Sequence, residues 1–234
     1  RAQEKQERVE CGVKMEAAIF DVDGTLLDSM GVWEHLGERY LKALGKTPEP
    51  GLQEILKPMT MEQSCQYLRK RYALDRTPEE IRQGLNGSLE TFYRDEVTEK
   101  PRLRELLTYL KQKGMAMAVA TATDSYLVES ALIRLGLRDY FQGIWTCAQA
   151  GVGKEDPAVY HLALGSLKKR RERCLVFEDA PYAVVTAVRA GFPVVAVAEQ
   201  AYAAEAEMAK EAALTYWDPE TESVAALISA LEIQ

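Results

Sequence analysis

Ala17-Ala18-Ile19-Phe20-Asp21-Val22-Asp23-Gly24-Thr25-Leu26-Leu27-Asp28-Ser29 is an apolar run that stops at two carboxylates spaced i and i+2. The run predicts a buried strand. Alternate side chains share a face of a strand, so Asp21 and Asp23 are expected to point the same way. Gly24 then lets the backbone turn sharply out of the sheet. Two like charges this close need a cation or a proton between them. A hard divalent ion with oxygen ligands, Mg²⁺ above all, meets that need and would bring a phosphate to the carboxylates. The alternative is an acidic strand-to-helix turn in which Asp28 or Ser29 merely caps the next helix.

Downstream of Gly114 the chain alternates short apolar runs with amphipathic segments, the pattern of a parallel sheet covered by helices on both faces. Strands are predicted at 115–120, 144–148, 174–177 and 193–197, with helices at 125–135, 157–167 and 181–190. Pro at the start and Gly just past the end bracket the last of these helices. Another at 101–113 places Leu103, Leu106, Leu107 and Leu110 on one face. An Ala/Glu-rich stretch at 201–213 reads as a solvent-facing helix. Residues 30–99 differ in character, being helical throughout, with candidates at 32–44, 60–72 and 78–93. A helical insertion after the first strand of an open α/β sheet is expected above the carboxyl ends of the strands, where such sheets bind ligands, and would act as a lid. The fold expected is therefore α/β, a Rossmann-like parallel sheet over 15–29 and 100–234 flanked by helices, with an inserted helical cap over 30–99.

Charge and composition narrow the setting. A chain of 234 residues can hold one large domain or a domain carrying a smaller inserted one. A formal charge of −7 argues against broad nucleic-acid or anionic-membrane binding, which call for a surplus of Lys and Arg, so the expected partner is small. Cys11, Cys65, Cys147 and Cys174 are scattered, without a C-x-x-C pair or metal spacing, which reads as reduced thiols in the cytoplasm. No apolar stretch has the length of a membrane span, and no signal-peptide core is present. Residues 1–14 are mostly charged and polar and read as a dispensable extension, with Met15 as the expected working start; mass spectrometry finding residues 1–14 retained on the endogenous protein would contradict this. The oligomeric state is not legible.

Three later segments place at strand ends the groups that phosphate chemistry requires. Thr121, with the Ala122 amide beside it at a helix start, can hold a phosphate oxygen, or it caps the helix. Gly151 and Gly153 free the backbone around Lys154, which either neutralises phosphate charge or is a solvated loop lysine. Glu178 and Asp179 offer two further carboxylates for a metal, or an N-cap.

These four motifs, Asp21-Val22-Asp23-Gly24-Thr25, Thr121, Lys154 and Glu178-Asp179, together resemble the haloacid dehalogenase superfamily. The likeness is to its branch with a helical cap after the first motif, close to the β-phosphoglucomutase and phosphoglycolate phosphatase-like group, and it spans nearly all residues after Met15. The resemblance implies that Asp21 is a nucleophile forming an aspartyl phosphate and Asp23 the general acid and base. It implies that Thr121 hydrogen-bonds the transferring phosphoryl group, with Gly24 and Ala122 in the phosphate site, and that Lys154 balances charge. Mg²⁺ would be held by the Asp21 side chain, the Asp23 carbonyl and Asp179, with Glu178 additional or outside the first ring of ligands.

Two departures bear on substrate. Trp33 stands where the mutase-like pattern often carries His, which weakens a sugar phosphomutase reading. The third motif commonly reads Lys-Pro-x-Pro-Asp, but here it is Lys154-Glu155-Asp156-Pro157-Ala158, so Glu155 or Asp156 is expected to replace the Asp that fixes the lysine. Asp23 and the Glu178-Asp179 pair argue against carbon–halogen cleavage. Trp33, Lys57, Thr60 and Arg69 are the cap residues considered for substrate specificity, against packing for Trp33 and a solvated helix face for Arg69. His35 and His161 are expected to pack or lie on the surface. The function expected is a Mg²⁺-dependent phosphatase of a small phosphorylated metabolite. The alternatives are a phosphomutase of the same superfamily and a phospho-accepting receiver module, which lacks an acid at i+2 and a helical lid.

Overall fold

The computed structural model describes residues 14–56, 59 and 61–231. Strand β1 (Ala17–Phe20) is wholly buried and lies mid-sheet, paired in parallel with β2 (Ala116–Thr121) on one side and β4 (Cys174–Glu178) on the other. Strands β3 (Ile144–Thr146), β5 (Val194–Val197) and β6 (Thr215–Trp217) complete a six-stranded sheet of order β3-β2-β1-β4-β5-β6, with every pairing parallel. Because all strands run the same way, the chain leaving β1, β2 and β4 emerges at one edge. The register makes this specific: Phe20 pairs with both Val119 and Phe177, and the Asp21 N–H donates to the Phe177 carbonyl at 3.0 Å. Phe20 and Phe177 stack at 4.4 Å between ring centroids, an apolar floor one residue before the acids.

Strands buried on both faces carry Ala, Val, Ile and Leu without alternation, as a parallel sheet demands. Ala17, Ile19, Ala118, Ala120 and Val176 pack with Val159, Ala163, Val184 and Ala187 of helices Ala158–Leu167 and Pro181–Arg189. In helix Leu103–Gln112 the four leucines of the predicted face are all buried.

The chain divides into two compact units, one holding the sheet and the other Ser29–Val97. The second unit is helical, with helices Met30–Glu34, Leu36–Ala43, Leu52–Leu56, Met61–Arg71 and Pro78–Thr91. Leu41, Leu52, Leu68, Ile81 and Leu85 form its buried interior. Gly84 is required there, since a Cβ at that position would overlap the Tyr40 ring. Helix Pro78–Thr91 starts with a capping box between Thr77 and Glu80 and ends in a wider π turn, Phe92–Glu96.

The elements differ from the sequence expectation at several points. The helix expected at 32–44 breaks at His35 between Gly31 and Gly37, two weak helix formers. The strand expected at 144–148 stops at Thr146, whose side chain accepts from Gln149 N–H and starts helix Cys147–Ala150. The stretch 201–213 is a kinked 3-10 segment, Gln200–Glu205, followed by helix Ala206–Ala212, and Ala209 is buried in the core instead of facing solvent. Helices Leu52–Leu56 and Val224–Leu231 and strand β6 were not expected.

Candidate active site

After β1 the chain turns on itself. Gly24 has φ +81°, a conformation open to glycine without strain, and the Val22 carbonyl accepts from Thr25, Leu26 and Leu27 N–H. Gly24 N–H donates to the Leu27 carbonyl at 2.9 Å within this turn. Leaving the sheet in this way sends Asp21 and Asp23 to different partners.

Asp21 meets Lys154. The lysine follows helix Cys147–Ala150, which Gly151 closes at φ +76°, and its side chain is buried with only 4% exposure, not solvated. Its Nζ donates to Asp21 Oδ1 and to Glu178 Oε1, both at 2.5 Å. Burial opposes the ammonium charge, but Asp21 and Glu178 outweigh it and hold Lys154 protonated. Glu155 and Asp156, expected to fix this lysine, do not: Glu155 is exposed, and Asp156 Oδ1 accepts from Ala158 N–H at 2.9 Å at the helix start. That work falls to Glu178 and to fully buried Tyr160, whose hydroxyl donates to Glu178 Oε1 at 2.7 Å and whose ring centroid lies 5.6 Å from Lys154 Nζ.

Glu178 ends β4 and its second oxygen accepts from Asp179 N–H at 3.1 Å. Asp179 Oδ1 accepts the Thr25 hydroxyl at 3.0 Å, whereas Asp179 Oδ2 is buried with no hydrogen-bond partner. Oxygens of Asp21, Glu178 and Asp179 all lie within 4.8 Å of one another. Burial first, then the charge of Asp21, pushes the Glu178 carboxyl up to about 7 against the opposing pull of Lys154 and Tyr160. Burial, with Asp21 and Glu178 beside it, likewise raises Asp179 far above the carboxylate range. Three carboxylates gather round one ammonium in a buried cluster with an orphaned oxygen, and without a cation burial favours protons on Glu178 and Asp179. The donor set is all oxygen, so these residues fit a hard divalent cation.

Asp23 lies outside that cluster. Its Oδ2 accepts the hydroxyl of Thr123 at 2.5 Å, and Thr123 N–H donates to Thr121 Oγ1 at 3.0 Å. Thr121 is fully buried at the end of β2, and Ala122 beside it is exposed. The sequence reading thus missed Thr25, Thr123 and Tyr160, whose hydroxyls hold the acids in place. Their only signal was position: Thr25 two residues past Asp23, Thr123 two past Thr121, Tyr160 six past Lys154.

In the helical unit Trp33 donates from Nε1 to the Tyr93 hydroxyl at 2.9 Å, with the rings edge to face at 6.5 Å. Arg69 is exposed on helix Met61–Arg71. Lys57 and Thr60 lie outside the described residues, as do residues 1–13 with Cys11. His35 sits 3.4 Å from Glu38, and His161 packs 5.6 Å from the Phe192 ring.

The family model for haloacid dehalogenase-like hydrolases matches residues 18–197. A phosphorylated carbohydrates phosphatase of Thermotoga maritima is 29% identical over 177 residues, covering 76% of this chain and 82% of that protein. Hexitol phosphatase A of Escherichia coli is 27% identical over 179 residues, covering 76% and 81%. Among solved structures, a Thermotoga maritima protein provisionally described as a β-phosphoglucomutase superposes with TM-score 0.78 at 26% identity, covering 93% of this chain and 97% of that one. The chain belongs to the haloacid dehalogenase-like hydrolase family.

Proposed function

We propose that the chain is a Mg²⁺-dependent phosphatase that hydrolyses a small phosphorylated metabolite through an aspartyl phosphate on Asp21. The observation that carries this is the convergence of Asp21, Lys154, Glu178 and Asp179 in one buried, carboxylate-rich cluster at the edge where β1 and β4 end.

Asp21 attacks phosphorus in line, forming its bond to phosphorus as the ester oxygen leaves. Asp23 gives its proton to the departing alkoxide and then takes one from the water that displaces Asp21 and releases inorganic phosphate. Lys154 neutralises the charge that a phosphate dianion brings to a carboxylate, while Thr121 and the Ala122 amide hold the phosphoryl oxygens. Mg²⁺, held by Asp21, the Asp23 carbonyl and Asp179 with Glu178 in support, would supply the remaining positive charge. The helical unit, expected as a cap over 30–99, is read as the selector of the alcohol part, with Trp33, Lys57, Thr60 and Arg69 as its specificity residues.

The relatives named for phosphorylated carbohydrates and hexitols favour a polyhydroxylated phosphomonoester. The structural neighbour described as a mutase favours a second reading, in which the same residues return the phosphoryl group to substrate. Cys65, Cys147 and Cys174 are free thiols, which supports a reducing compartment, the cytoplasm; among the described residues no helix is long and apolar enough to cross a membrane. Phosphate release from a panel of sugar, polyol and nucleoside monophosphates tests the reading. Release stimulated by Mg²⁺ supports a phosphatase, and turnover only with a bisphosphate activator and without release would support the mutase.

A further inference from the structure

Thr123 takes no part in the proposed steps, yet its hydroxyl makes a short contact to the proposed acid and base. Its hydroxyl donates to Asp23 Oδ2 at 2.5 Å, within the range of a hydrogen bond to an ionised acceptor. Thr123 is 6% exposed, and Asp23 is half-buried. Its backbone is fixed as well, because Thr123 N–H donates to the buried Thr121 Oγ1 at 3.0 Å. Thr121 is the last residue of β2, and β2 is the direct neighbour of β1, the strand that delivers Asp23. A hydroxyl has one proton to donate, and β-branching stiffens χ1, so this side chain can hold a carboxylate in one plane.

We propose that Thr123 is a positioning residue for Asp23, holding its carboxylate in the orientation that passes a proton to the leaving group. Oδ2, as acceptor of the Thr123 hydroxyl, is the oxygen that stays unprotonated during the exchange. Thr123 itself neither gains nor loses a proton across the cycle. The inference deepens the phosphatase reading and rests on it.

The test exploits the leaving group. Nitrophenolate departs without a proton, whereas an alkoxide needs one, and kcat/KM reads the step that forms the covalent intermediate. For Thr123→Val, kcat/KM is expected to fall about 100-fold on an alkyl phosphate such as glycerol phosphate but less than about threefold on p-nitrophenyl phosphate, with Thr123→Ser within about threefold of the natural chain on both. The variant should also show a burst of nitrophenolate, because hydrolysis of the intermediate still depends on Asp23. Equal losses on both substrates would assign Thr123 a purely structural role and overturn the proposal, as would no loss on either. Should Thr123→Val fail to fold, Thr123→Ala read against Thr123→Ser makes the same comparison. Asp23→Asn separates the two levels: if it lacks the leaving-group signature, the reading of Asp23 as acid fails, whereas the signature in Asp23→Asn and not in Thr123→Val defeats the Thr123 proposal alone.

Discussion

At the scale of single residues the site depends on one ammonium among carboxylates. Lys154 binds Asp21 and Glu178 directly and is buried with them. Its replacement leaves like charges facing one another without compensation. Lys154→Met is therefore expected to lower phosphate release about 100- to 1,000-fold in kcat, the loss seen on removing one preorganised electrostatic partner, with the fold retained by circular dichroism. Activity within tenfold of the natural chain would contradict the charge-balancing role. Asp21, Glu178 and Asp179 were legible in the sequence because they stand where apolar runs end, and a charged residue there must find a partner; Lys154, in a loop after helix Cys147–Ala150, was marked only by its flanking glycines and the family resemblance. Thr25, Thr123 and Tyr160 were not, because a hydroxyl is ordinary in a turn or helix. Only the tertiary meeting of Thr25 with Asp179, Thr123 with Asp23 and Tyr160 with Glu178 gives each its meaning. Ala158, in place of a family aspartate, drew attention to the local loop, whereas the compensation comes from Tyr160 on the following helix turn and Glu178 on β4.

Elements are joined by a second buried ion pair away from the cluster. Lys100, on the segment whose N–H donates to the Leu26 carbonyl, gives Nζ to Glu199 Oε2 at 2.7 Å, and both side chains are 8% exposed. Glu199 follows β5 and also accepts from Ala201 N–H, so the pair ties the turn after Asp23 to the chain leaving β5. Lys100→Met is expected to cost about 3 kcal/mol by stranding Glu199, while Lys100→Met with Glu199→Leu recovers most of that loss. Urea melts of the single and double variants decide; equal destabilisation by both would show that packing and not the ion pair matters. At this scale β1, β2, β4 and β5 were legible from apolar runs bounded by turn residues. Strand β6 was hidden because Thr215-Tyr216-Trp217 is short and half polar. The ends of β3 and of the first helix of the helical unit were misplaced because a capping threonine and flanking glycines decide them locally.

For the whole molecule, the raised carboxylates tie stability to pH and metal. Glu178 titrates near 7 in the folded chain against an ordinary 4.5, and Asp179 is shifted the same way. The folded protein thus holds protons that the unfolded chain has already lost. Without metal, stability is fully present below about pH 4.5 and declines as pH rises towards 7, by up to about 3 kcal/mol for Glu178 alone. In chelator, Tm is expected to fall between pH 5 and 8, and millimolar Mg²⁺ should raise it more at pH 8 than at pH 5. A Tm unchanged by pH and by metal would contradict the raised carboxylates and their readiness for a cation. The central claim is that Asp21 is the nucleophile of a phosphatase, and the most direct test compares the natural chain with Asp21→Asn for phosphate release with Mg²⁺, trapping the intermediate with borohydride. The account predicts metal-dependent release that Asp21→Asn abolishes, and homoserine at position 21 in the trapped natural chain. Release that persists in Asp21→Asn, with position 21 unmodified in the natural chain, would contradict it.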